Sequence, residues 1–132
     1  MRRLVHMLFG FTFLLLSGCG DPHEKMAENA IAILKDIADE LSTIRDPATA
    51  EAAVPRLKEL GGRWRANERR MTKSRGPSVR DLKELDKNYG GQLEEAMKRY
   101  FIEVARVQKI DGGQQALAAL GELKGGLKSN SP

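Results

Sequence analysis

Few side chains in this 132-residue chain are suited to chemistry: one cysteine, Cys19, two histidines, His6 and His23, and 18 carboxylates against 22 lysines and arginines. Cys19 and both histidines fall within the first 23 residues. A His/Cys metal set, or a nucleophile paired with an imidazole, is therefore out of reach of the remaining chain. Carboxylate chemistry would need a convergent pair. Asp36 and Glu40 would share a helix face, where a solvated pair is the ordinary reading, and Glu94 and Glu95 are adjacent and so point about 100° apart on a helix. None of the Gly-Gly pairs follows a strand or leads into the lysine and hydroxyl of a phosphate-binding loop. The expectation is a chain that is not an enzyme and holds no metal or cofactor.

The other chemically loaded stretch is basic. Residues 21–55 carry eight acidic and three basic side chains, whereas residues 56–75 carry eight basic and two acidic. One reading is charge pairing between neighbouring helices, with Glu24, Glu28, Asp36 and Asp39 opposite the basic segment. Exposed pairs of this kind contribute about 0–1 kcal/mol each. The alternative makes Arg63, Arg65, Arg69, Arg70, Lys73 and Arg75 an anion-binding surface. Near an anionic membrane each Lys or Arg contributes about 1 kcal/mol, decaying over a Debye length.

The compartment follows from the N-terminus. Arg2 and Arg3 precede an apolar run from Leu4 to Leu16, interrupted by His6, Gly10 and Thr12, and then come Ser17, Gly18 and Cys19. A cationic start, a short apolar stretch and small residues before a cleavage point are the parts of an export signal. The run is shorter than the roughly 20 residues needed to span a bilayer. Leu16-Ser17-Gly18-Cys19 resembles the lipobox of bacterial lipoproteins, which implies cleavage before Cys19 and acylation of its sulfur. The alternatives are an uncleaved anchor or cleavage by an ordinary signal peptidase, leaving a free thiol. The resemblance also implies sorting: Asp21 stands one position beyond the place where aspartate favours inner-membrane retention, so the outer membrane is favoured. An exported chain of this kind would have the lipid bilayer as a partner through acylated Cys19, a protein partner or a second copy as another, and no nucleic acid. Candidate anions become lipid headgroups, lipopolysaccharide phosphates or acidic wall polymers.

The elements that must present these groups are helical throughout. Ala27, Ala30, Leu34, Ile37, Leu41 and Ile44 recur at three-four spacing, with Ile31 and Ile33 widening the stripe. Asp46 and Pro47 supply a cap and a first-turn proline for a second helix. Its stripe is Ala50, Ala53, Leu57, Leu60, Trp64 and Met71; Pro55 is expected to kink it, and Gly61 and Gly62 to weaken it by about 1 kcal/mol each. Gly76 and Pro77 break the chain, and Ser78 with Asp81 resembles a capping box. A third helix carries Leu82, Leu85, Tyr89, Leu93, Ala96, Met97, Tyr100, Val104 and Val107, with a bend or split expected at Gly90 and Gly91. Residues 114–123 suit a short fourth helix.

The predicted architecture is all-α: an antiparallel helical hairpin with a third long helix and a short C-terminal helix, or an elongated coiled-coil-like version of it. The predicted organisation is a signal peptide at 1–18, a lipidated tether at 19–24, a helical domain at 25–124 and a disordered tail at 125–132. The region Ala48 to Leu60, with its alanine-rich start and the run Val54-Pro55-Arg56-Leu57-Lys58-Glu59-Leu60, also resembles small helical lipoproteins of bacteria, a resemblance that implies no activity. Loss of the signal would remove Phe9, Phe11 and Phe13 and leave Trp64, Tyr89, Tyr100 and Phe101 as the aromatics. With so thin a core, Leu57, Leu60, Trp64 and Met71 are expected to offer a seam to a partner. The function expected is a membrane-anchored structural or protein-interaction module of the cell envelope.

Overall fold

The computed structural model describes residues 21–121. The expected signal peptide, Cys19 and the tail 125–132 lie outside the described residues. Helices make up the described chain: α1 (Pro22–Ser42), α2 (Pro47–Lys73), α3 (Val79–Leu85), a π-helical turn (Asp86–Gly90), α4 (Gly91–Val107) and α5 (Gly113–Leu120). No strand occurs among the described residues, and the fold is all-α.

Each boundary has a local cause. Asp21 caps α1, its carboxylate accepting from the His23 backbone N–H at 3.0 Å, and Pro22 occupies the first helical position, where its missing N–H costs nothing. The helix therefore starts at Pro22, shortening the expected tether of 19–24. Asp46 and Thr49 form a reciprocal box at the head of α2: the Thr49 N–H donates to Asp46 at 2.8 Å, and the Asp46 N–H donates back to the Thr49 hydroxyl at 3.0 Å. Beyond it α2 runs unbroken through Pro55, Gly61 and Gly62. The helix is thus continuous despite the weakening expected there.

The third helix divides at the expected place. Its α-helical ladder gives way to the π-helical turn just before Gly91, so α3 and α4 are two pieces of one helical path. Gly112, at φ 80°, turns the chain after α4, and Gly113 opens α5.

Contact order gives the directions. Asn67 reaches Met26 and Arg63 reaches Asp36, so α2 runs antiparallel to α1. Tyr89 reaches Glu28, Arg99 reaches Asp39 and Arg106 reaches Leu41 and Ile44, so the path ending in α4 runs parallel to α1. Helix α1 is therefore covered from two sides. Ile33, Ile37, Leu41 and Ile44 join Ala53, Leu57, Leu60, Val107 and Leu120 in one core cluster, while Ile31 and Leu34 meet Ala96 in a second. Trp64 and Tyr100 pack against both. This double coverage explains why the buried stripe of α1 is wider than one heptad seam.

Two close approaches fix the remaining pieces. Arg106 at the end of α4 donates at 2.7 Å to both the Leu41 and Ile44 carbonyls, placing a cation at the C-terminus of α1, whose own last turn carries no basic residue. Helix α5 lies along α2, its Leu120 carbonyl seated over Gly61 and accepting from Arg65 at 2.9 Å.

Candidate functional site

The expected partner seam is not presented to solvent. Leu57 and Leu60 are 0% exposed, because α5 covers the face of α2 that the sequence leaves open. Trp64 is half-buried between the two core clusters, and of the four residues only Met71 is exposed. The short C-terminal helix is what converts the seam into core.

The basic segment splits into two groups. Arg56 pairs with Glu59 at 2.7 Å, Arg63 with Asp36 at 3.0 Å, and Arg65 holds the end of α5. Arg63 and Arg65 thus join helices, Arg63 by the charge pairing with Asp36 that the sequence predicts, whereas the Arg56 pair lies within α2. The Arg56–Glu59 contact raises the already high pKa of the guanidinium, first through the hydrogen bond and then through the charge of Glu59. Arg69, Arg70, Lys73 and Arg75 are exposed, and no ion pair engages them among the described residues. Of the anion-binding set expected from sequence, Arg63 and Arg65 are engaged by other helices.

Between α1 and α2 lies a partly open groove of about 200 Å³, lined by Asn29, Ile33, Arg63, Ala66, Asn67 and Arg70. Asn67 is the buried polar residue of the core, donating through its amide nitrogen to the Met26 carbonyl at 3.2 Å while its Oδ1 has no partner. As a polar residue, Asn67 is not part of the apolar stripe of α2, and its type carries no signal of its burial.

The far end of this surface is built by the loop after α2 and by α3. Ser78 and Asp81 form the expected capping box: the Ser78 N–H and hydroxyl donate to Asp81 at 2.9 and 2.6 Å, and the Asp81 N–H returns to Ser78 at 3.2 Å. These bonds hold the Asp81 carboxyl below the usual range, with smaller help from the charges of His23 and Arg80. His23 is thus near the head of α3. Tyr89 donates to Glu28 at 2.9 Å, which raises its phenol pKa, because the neutral form is the one that donates.

Helix α3 departs from the expected core stripe. Leu82 is exposed along with Val79, and no residue of α3 is buried. Further along the same path Phe101 and Ile102 are also exposed, Phe101 meeting Tyr100 edge-on at 5.3 Å between ring centroids. Glu94 and Glu95 are exposed, and Asp36 of the Asp36/Glu40 pair is committed to Arg63. Among the described residues no group of three or more His, Cys, Asp or Glu side chains is arranged to hold a metal ion, and no helix is long and apolar enough to cross a membrane. The chain matches no family model, no curated protein and no solved structure.

Proposed function

We propose that this chain is an exported lipoprotein, held in the cell envelope by acylated Cys19, whose helical body is a structural or protein-interaction module. The observation that carries the reading is the order Leu16-Ser17-Gly18-Cys19 after a short apolar run, with a single residue between Cys19 and the Asp21 cap of the first helix. Acyl chains supply about 0.8 kcal/mol per buried methylene, and more than one chain makes attachment stable. With so short a spacer, an acyl group at Cys19 would hold the bundle directly against the membrane. The sorting pattern around Gly20 and Asp21 favours the outer membrane.

A body of this kind acts by what it touches. The apolar surface open to a protein partner or a second copy includes Phe101 and Ile102 of α4, whereas the leucines of α2 are spent internally. The test is the covalent state of Cys19. Chain extracted from membranes should begin at residue 19 and carry the mass of its acyl groups, and Cys19→Ser should abolish both the cleavage and the detergent partitioning. Identical mass and partitioning in the two proteins would overturn the reading.

A further inference from the structure

The first described residue and the exposed cations lie at the same end of the bundle. Antiparallel pairing sets Asn67 against Met26, so continuing the two helices brings Met71 level with Pro22. Lys73 and Arg75 then extend past the start of α1. Helix α3 packs back onto α1, with Asp81 near His23. The chain leading to Cys19 leaves from this same end, and three residues reach at most about 11 Å.

The segment 69–83 has the composition of a membrane-surface contact. Its six cations are Arg69, Arg70, Lys73, Arg75, Arg80 and Lys83, and its single carboxylate, Asp81, is occupied in the α3 cap. None of the six is in an ion pair among the described residues. Interleaved with them are Met71, Val79 and Leu82, exposed by 43%, 73% and 52%. Cations beside exposed apolar side chains suit an interface in which the charges meet headgroups and the apolar groups enter the acyl boundary. The acidic residues at this end include Asp21, Glu24, Glu28, Glu68 and Glu84, of which Asp21 is engaged in the α1 cap and Glu28 with Tyr89. At the opposite end Arg99 is neutralised by Asp39 and Arg106 by Glu103, while Arg45 and Lys109 are exposed and in no ion pair among the described residues.

We propose that segment 69–83 is a second membrane contact, lying on the anionic headgroups of the bilayer that holds Cys19 and setting the bundle upright on it. The proposal rests on the reading of Cys19 as acylated. The lipid restricts the chain to the surface, and the cations select which end faces it. Anionic headgroups within a Debye length of the anchor are the complementary partner that the geometry brings to this segment.

The experiment uses full chain isolated with its anchor and placed in nanodiscs of phosphatidylcholine alone or with one lipid in three replaced by phosphatidylglycerol. Amide exchange across residues 69–83 should slow by about tenfold in the anionic discs, and the difference should vanish in high salt. Replacing Arg69, Arg70, Lys73 and Arg75 by Gln should abolish the difference while leaving helicity intact, since all four are exposed. Val79→Ser with Leu82→Ser should reduce it. Equal exchange in the two discs, or an undiminished difference in the Gln variant, would overturn the proposal while leaving the anchor standing. An intact mass lacking acyl groups would overturn both.

Discussion

Gly61 and Gly62 are neighbours in sequence and opposites in packing. A Cβ on Gly61 would fall on the Leu120 backbone carbonyl, whereas one on Gly62 would meet nothing within 4 Å. Backbone cannot swing aside as a flexible side chain can, so Gly61→Ala must push α5 off α2. The expected cost is about 1–3 kcal/mol, typical of overpacking. Gly62→Ala should instead stabilise by up to about 1 kcal/mol, the difference in helix propensity. Thermal or denaturant unfolding of the two variants checks the opposite signs, and equal effects would refute the close approach of α5. Both glycines read alike in the sequence, as weak points of a helix. What separates them is a contact with a segment some 60 residues away, and residue type and local spacing hold no record of it. Asn67 was illegible for the same reason: its burial is set by Met26 across the bundle.

At the scale of elements, helix boundaries were readable wherever their signals are local. Asp46 with Pro47, Ser78 with Asp81, and Gly90 with Gly91 announce two caps and a break, and each acts within a few residues of itself. The partners of each helix were less readable. Leu82 continues the apolar spacing of Tyr89 and Leu93, yet α3 buries none of its residues, because the path it belongs to meets α1 fully only in α4. The caps also carry a pH dependence. Backbone and hydroxyl donors from Thr49 hold the Asp46 carboxyl below its ordinary value, as those of Ser78 do for Asp81. A depressed folded pKa gives stability that is fully present above about pH 4, the unfolded value, and is lost as pH falls through the folded one. Exchange of the Thr49 amide should therefore accelerate relative to mid-helix amides as pH drops below about 4. Asp46→Asn keeps a competent cap without a titrating group. It should remove that local pH dependence, and its persistence would assign the effect to other carboxylates.

At the scale of the molecule, two core clusters on either side of α1 are joined by Trp64 and Tyr100. Burial pushes the Tyr100 phenol above its ordinary pKa, consistent with its place between them. With α5 closing over Leu57 and Leu60 and also touching α4, the helices α1, α2, α5 and α4 form a closed ring of contacts. The bundle should consequently unfold as one unit, with Trp64 fluorescence and helical circular dichroism giving coincident transitions. Trp64→Ala removes packing from both clusters at once and should cost about 3–5 kcal/mol. Trp64→Phe is the informative companion. The indole N–H is buried without a partner, so its removal relieves a desolvation penalty of about 1–3 kcal/mol and offsets the smaller ring. Near-native stability of Trp64→Phe beside collapse of Trp64→Ala would identify packing, rather than any bond to the indole, as what joins the two halves. Separate transitions by the two probes would mean that the clusters fold independently and that the α3 end of the bundle does not fix the orientation of the exposed Phe101 and Ile102.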